Sequence, residues 1–218
     1  MLTLGVVPTS TGNAIRFDGN NDNVAITRNA ALNAISSTYT FESWVRVAGY
    51  GYGTLISKFE DDGDNRGWMI NFGETGVNDK LCVVHSAAGG WVNPIQWNSG
   101  WTPALNTWYH VAVVFDASLP SNEIKLYVNG ALQAQTSWAY NLVPNNANLY
   151  LGGYDGVGNG LNAGANSRFF NGSMDDVRVW NVARTQSQIQ ADYTRQLTGL
   201  ESGLVGYWNL NQGTAGGN

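Results

Sequence analysis

The chain has 218 residues, of which 12% are charged, with 11 Lys plus Arg against 16 Asp plus Glu for a formal net charge of -5. This mild acidity, with no cluster of basic residues, excludes nucleic acid as a partner, because phosphate binding needs a patch of Lys and Arg. No apolar run approaches the roughly 20 residues that span a bilayer, and the length suits one large β-sandwich better than two domains.

Short runs of alternating polarity follow one another along the chain, each bounded by Gly, Asn or Asp, the pattern of half-buried strands. Strands are predicted at Ala14 to Phe17, Val24 to Thr27, Tyr39 to Val47, Gly53 to Phe59, Gly67 to Phe72 and Lys80 to Ser86. In the third of these, Tyr39, Phe41, Ser43, Val45 and Val47 share one face, and Thr40, Glu42, Trp44 and Arg46 the other. Both faces carry bulk, which suits a sheet covered by a second sheet. Strands follow at Trp108 to Phe115, Ile124 to Val128, Leu132 to Ala134, Leu149 to Gly152, Ser173 to Trp180 and Val205 to Leu210. Asn129-Gly130 predicts a primed hairpin turn, since both residues tolerate positive φ. One helix is signalled, Gln186 to Tyr193, by the capping box Thr185-Gln186-Ser187-Gln188 and the apolar pair Ile189 and Tyr193. The 27 Gly and 26 Asn supply turn chemistry, and five Glu with three Lys leave little material for long helices. The sum is an all-β, two-sheet antiparallel jelly-roll sandwich with one short helix toward the C-terminal end. Cys82 has no cysteine partner in the chain, so an internal disulfide is impossible, and Leu81-Cys82-Val83-Val84 reads as a buried strand thiol.

Several segments together resemble laminin-G-like jelly-roll domains of the concanavalin A-like lectin and glucanase superfamily. They are Ile15-Arg16-Phe17-Asp18-Gly19, Tyr39-Thr40-Phe41-Glu42-Ser43-Trp44-Val45, Trp108-Tyr109-His110-Val111-Ala112 and Leu126-Tyr127-Val128-Asn129-Gly130. Phe170-Asn171-Gly172-Ser173-Met174-Asp175-Asp176-Val177-Arg178-Val179-Trp180-Asn181, the Thr185 helix and Gly206-Tyr207-Trp208-Asn209-Leu210 continue the pattern in order. The resemblance implies a single domain over residues 1–218 with its core at about 13–212. Both ends read as cuts in a larger protein, expected to be exported, bacterial, and extracellular or on the cell surface. Such domains serve as lectins, adhesion modules, spacers and hydrolases, so the fold leaves the ligand open.

Retaining glycoside hydrolysis needs two carboxyls about 5 Å apart, which same-face spacing on one strand supplies. Glu42, Glu60, Glu74, Glu123 and Glu201 are isolated from one another, so no catalytic residue is assigned and a non-enzymatic role is expected. His85 and His110 lie on strands without a Ser or Cys partner pattern and read as packed imidazoles. Acidic groups instead suggest calcium. Asp61, Asp62 and Asp64 in Glu60-Asp61-Asp62-Gly63-Asp64-Asn65 form either a Ca²⁺ loop or a solvated acidic turn. The resemblance implies a second, structural calcium tied by Asp175 and by Asp18 and Asp22; the competing reading makes Asp18 and Asp22 turn residues and pairs the later Asp with arginine.

Trp44, Trp68, Trp108, Trp180 and Trp208 fall inside the strand pattern and read as packing. Trp91, Trp97, Trp101 and Trp138 fall among Gly, Pro and Asn, a composition suited to stacking on pyranose rings, with Tyr50, Tyr52, Tyr154 and Asp155 placed to reach the same rim. The alternative is that these indoles pin long loops to the sheet. The expectation is a non-catalytic, calcium-bound carbohydrate-binding module whose partner is a polysaccharide or glycan, with neighbouring domains of the same chain as further contacts. The rival is a protein-binding or structural adhesion module, and a hydrolase assembled from distant strands stands third.

Overall fold

The computed structural model describes residues 13–59, 66–74, 76–77, 79–89, 92–154 and 168–211. Its elements are β1 (Ile15–Asp18), β2 (Val24–Ile26), α1 (Ala30–Asn33), β3 (Thr38–Val47), β4 (Gly53–Lys58), β5 (Arg66–Phe72) and β6 (Leu81–Gly89). There follow β7 (Ile95–Asn98), β8 (Trp108–Asp116), β9 (Ile124–Val128), β10 (Ala131–Thr136), β11 (Leu149–Leu151), β12 (Asn171–Trp180), α2 (Gln186–Asp192) and β13 (Leu204–Trp208). The first sheet runs β1-β12-β3-β8-β9-β10 with β13 also on β12, and the second runs β2-β11-β4-β5-β6-β7. All pairings are antiparallel, as expected of a jelly-roll sandwich.

Two elements differ from expectation. β7 forms where Pro and Asn signalled a loop, because four residues suffice to pair with β6 and no longer alternation is needed. The single-turn α1 is too short to show a helical period; Asn29 caps it by accepting the Leu32 N–H at 2.9 Å, and Leu32 is buried beneath it. The capping box of α2 forms as predicted. So does the hairpin between β9 and β10, with φ of 50° at Asn129 and 74° at Gly130.

One edge of β12 is shared by strands from opposite ends of the chain. β1 pairs with residues 171–174 and β13 with residues 177–180. The handover falls at Asp175 and Asp176, where the register against β3 slips and Asp176 takes φ of 49°. Tyr207 on β13 donates its hydroxyl to Asp176 Oδ1 at 3.0 Å, tying the irregular point to the last strand.

Alternation then sorts the side chains. From β3, Tyr39, Phe41, Val45 and Val47 enter the core between the sheets, where they meet Trp68, Ile70 and Phe72 of β5 and Val111, Val113 and Phe115 of β8. Tyr39 stacks on Trp68 with centroids 4.6 Å apart, and its hydroxyl lies 2.8 Å from His85 Nε2. His85 is wholly buried against Phe115 and Trp138, and burial pushes its pKa from 6.5 down to about 3.

The outer face of the first sheet is covered by α2. Ile189 packs on Ala112, Val114 and Tyr127, and the Trp44 indole donates to the Tyr193 carbonyl at 2.9 Å. Beneath the helix lies Glu42, 0% exposed. Arg184 Nη1 reaches it at 2.6 Å, Arg178 Nη1 at 3.7 Å and His110 Nε2 at 3.5 Å. Burial pushes the Glu42 carboxyl up, but His110 and the two guanidiniums outweigh it and hold the group below its ordinary value. Arg178 also donates to the carbonyls of Asp192 and Arg195, and Arg184 pairs with Asp192 and lies over the Trp180 ring. Each guanidinium thus serves sheet and helix together.

Arg184→Ala, which leaves Glu42 buried with weakened compensation, should lower stability by about 3 kcal/mol in urea titration, whereas Arg195→Ala, at a half-exposed side chain, should cost about 1 kcal/mol or less. Acid should also destabilise the fold. His85 has a depressed folded pKa, so the unfolded chain takes up the proton first; its contribution is complete above pH 6.5 and is lost as pH falls toward 3. Urea midpoints measured against pH should fall over that window, and His85→Gln should flatten the slope by at most about 1.4 kcal/mol per pH unit.

Candidate functional site

The outward face of the second sheet carries a cleft of about 340 Å³, within the size range of small-ligand sites. Its floor follows from strand alternation. While Trp68 and Ile70 point into the sandwich, Met69 points out; it pairs across the ladder with Val84, and Val84 with Gln96. Phe59, Met69 and Val84 form a buried apolar cluster against which Tyr154 packs. Arg66 at the start of β5, Glu74 in the turn after β5, Gln96 on β7 and Arg168 ahead of β12 complete the lining.

Glu74 organises the polar rim. Its Oε2 accepts from Asn71 Nδ2 at 2.7 Å and from Arg168 Nη1, and its Oε1 accepts from Gln96 Nε2 at 2.8 Å. The Arg168 backbone is fixed as well, since its carbonyl accepts the Thr54 N–H at 2.9 Å. The guanidinium lies 5.1 Å from the Tyr154 ring centre and 5.9 Å from that of Tyr52. An arginine held by a carboxylate and by two aromatic rings is pre-organised, so little rotamer entropy remains to be lost on binding.

The residues singled out from sequence divide sharply. Tyr154 lines the cleft, and Tyr52 supports its arginine. Trp138 is corrected: it is 6% exposed, its ring centre lies 4.8 Å from that of His85, and its indole N–H donates to the Asn93 carbonyl at 2.9 Å, so it offers no face to a sugar. Trp97 pairs with Val83, packs against the inter-sheet core and points away from the face that Gln96 occupies. Trp101 packs on the same core with its ring edge-on to Tyr109 at 5.4 Å. Tyr50 donates its hydroxyl to the Pro103 carbonyl at 2.8 Å, apart from the cleft lining. Trp91 and Asp155 lie outside the described residues.

Of the expected calcium ligands among the described residues, Asp175 is not brought to Asp18 and Asp22. Asp18 sits opposite Asn171, four positions along β12 from Asp175, a separation of roughly 13 Å at strand rise. Asp18 instead accepts from the Asn20 N–H at 2.7 Å and from its side-chain amide, which hold its carboxyl below the ordinary value, while Asp22 accepts the Asp18 N–H. Asp175 is buried and accepts the Asp176 N–H at 2.8 Å. Among the described residues no group of three His, Cys, Asp or Glu side chains is placed to hold a metal ion. Asp61, Asp62 and Asp64 lie outside the described residues. The described carboxylates therefore do not fit the joint site expected of Asp18, Asp22 and Asp175.

Sequence reasoning set Glu74 aside as isolated and missed Gln96, Arg66 and Arg168. Gln96 was legible as the alternate neighbour of Trp97, once β7 is read as a strand. Glu74 and Arg168 are 94 positions apart, and no linear spacing joins them.

The model of the Laminin_G_3 family, described as the concanavalin A-like lectin/glucanases superfamily, matches residues 18–190. No curated protein matches the sequence. Among solved structures, a candidate carbohydrate binding protein of Bacteroides ovatus ATCC 8483 is similar with a TM-score of 0.70 and 23% identity, over 91% of this chain and 51% of that one. The chain thus spans about half the length of the Bacteroides protein. Domain 4 of AbnA, a GH43 extracellular arabinanase of Geobacillus stearothermophilus solved with arabinotriose, is similar with a TM-score of 0.57 and 18% identity, over 85% of this chain and 78% of that one. At these identities the likeness establishes the shared fold.

The different environments of Trp138 and Tyr154 have separate consequences. Trp138→Ala should cost about 3–5 kcal/mol in chemical denaturation, and Tyr154→Ala, at the half-buried rim, about 1 kcal/mol or less.

Proposed function

The chain belongs to the Laminin_G_3 family of the concanavalin A-like lectin/glucanases superfamily, and from that premise we propose that it is a non-catalytic carbohydrate-binding module of a larger extracellular protein. The observation that carries the proposal is the Glu74–Arg168–Gln96 arrangement around an apolar floor. A sugar presents C–H groups on one side and hydroxyls at its edge. Phe59, Met69, Val84 and Tyr154 supply the complementary apolar contacts, and the fixed amide and guanidinium supply directed hydrogen bonds. Bound sugar would be oriented by Gln96 and Arg168 and flanked by the Tyr154 ring. A candidate carbohydrate binding protein and an arabinanase domain solved with arabinotriose, both of this fold, are consistent with that use.

A non-catalytic role is supported by the composition of the cleft. Glu74 is the one carboxylate among its described lining residues, and both its oxygens are engaged by donors, whereas glycoside hydrolysis uses a carboxyl pair. Glu74 is thus a positioning group for Arg168 and Gln96. Secretion and surface display are part of the same proposal.

Glycan-array screening followed by calorimetric titration should give binding to a defined polysaccharide or oligosaccharide. Gln96→Ala and Tyr154→Ala should each weaken it by about tenfold, the loss of one good hydrogen bond or apolar contact at the site, while the melting temperature falls by no more than about 4 °C. Absence of any glycan signal from the folded protein would overturn the proposal.

A further inference from the structure

The cleft continues onto a surface outside its lining, and this inference rests on the carbohydrate-binding reading above. Tyr50 is 44% exposed, yet its hydroxyl donates to the Pro103 carbonyl at 2.8 Å. A surface tyrosine commonly packs its ring on the protein and leaves its hydroxyl to water. In Tyr50 the polar tip is bonded within the protein, which leaves ring carbon as open surface. The ring is held at both ends, by the backbone and by the hydroxyl, so a group stacking on it costs little further side-chain entropy.

The loop that carries Tyr50 joins β3 to β4 and is clamped between the two segments that bear Arg168 and Glu74. On one side the Ala48 N–H donates to the Asn171 carbonyl and the Thr54 N–H to the Arg168 carbonyl, both at 2.9 Å. On the other side lies Gly73, the residue before Glu74. A side chain there would begin 3.1 Å from the Gly51 carbonyl oxygen and 3.2 Å from the Tyr52 Cα, a closeness that calls for glycine. Between Tyr50 and the cleft stands Tyr52, whose ring centre lies 5.9 Å from the Arg168 guanidinium. Tyr50 and Tyr52 are two residues apart, at most about 7 Å between Cα atoms. Tyr154, Arg168, Tyr52 and Tyr50 thus follow one another on a fixed scaffold.

A single sugar needs no contact beyond the cleft. A glycan chain leaves the cleft through its glycosidic bond and meets the surface that comes next, and an open aromatic ring suits the C–H face of a following sugar. We infer that the site recognises an extended run of a glycan chain, with one sugar in the cleft and Tyr50 stacking on another further along the same chain. Tyr50 is then the residue that sets the preference for long over short oligosaccharides.

Cello-, xylo-, manno- and arabino-oligosaccharides, each from disaccharide to hexasaccharide, serve as probes in calorimetric titration of the folded protein, together with the matching series for any glycan positive on the array. In a series that binds, the hexasaccharide should bind about tenfold tighter than the disaccharide, the gain of one stacking contact. Tyr50→Ala should collapse that ratio toward one, whereas Tyr50→Phe, which keeps the ring, should retain it. A gain arising only from the larger number of binding registers on a longer chain would survive Tyr50→Ala, and that outcome overturns the inference. Loss of the ratio in Tyr50→Phe as complete as in Tyr50→Ala assigns the effect to the hydroxyl and overturns the stacking. If Tyr50→Ala fails to fold, the Tyr50 ring protons of the unaltered protein decide by NMR: the hexasaccharide must shift them and the disaccharide must not. Equal affinities of disaccharide and hexasaccharide overturn the extended site while the carbohydrate-binding function stands. No binding in any series, with no signal on a glycan array, overturns that function and this inference together.

Discussion

Glu42 is a carboxylate placed in the middle of a sheet with no route to water, and much of the architecture around it exists because an ionised group in that position must be compensated. Arg178 approaches from the neighbouring strand, Arg184 from the segment that leads into α2, and His110 from the strand on the other side. The same guanidiniums hold the end of α2 through the carbonyls of Asp192 and Arg195 and the carboxylate of Asp192. A seven-residue helix has little stability of its own. It is kept on the sheet because its removal would strand the charges beneath it, and its capping box and the Ile189 contact complete the attachment.

Closing one face of the sandwich in this way assigns the other outer face to a different task. The first sheet is covered by α2, with its large polar residues spent on internal pairing. The second sheet keeps a cleft over β5, β6 and β7, where the outward residues Met69, Val84 and Gln96 form a graded surface from apolar floor to polar rim. The Glu74–Arg168 pair there resembles the Glu42–Arg184 pair in chemistry but differs in setting. Glu42 and Arg184 are sealed under protein, whereas the Arg168 side chain remains 23% exposed beside an open cleft. Access, not charge, makes one pair structural and the other a candidate for recognition.

How much of this was readable along the chain depended on the range of the interaction. Period-two patterning placed nearly every strand, and it sorted Tyr39, Phe41, Val45 and Val47 from Glu42 and Trp44 correctly because the pleat enforces that alternation. Capping at Thr185 and the Asn129-Gly130 turn were legible because each is settled within four residues. The Trp residues were sorted less well. Trp138 lies among Ser, Ala and Asn, which suggested exposure, yet the fold buries the indole beside His85 and Phe115. Local composition reports which residues flank a side chain, not which distant residues cover it. The partly buried Trp97 is likewise positioned by a distant partner, since the short β7 turns it toward Val83 and presents Gln96 outward.

By itself the sequence determined the all-β class, the sandwich, the α2 helix, the buried thiol at Cys82 and the family, because backbone alternation, capping and turn conformation are local and leave their signature in adjacent residues. Tertiary structure alone decided the site. It separated Asp18 from Asp175 along β12, buried Trp138, and brought Glu74 to Arg168 across 94 positions of chain. The physical reason is that strand pairing conveys register between segments remote in sequence, and a binding cleft is made of side chains that only such register places side by side.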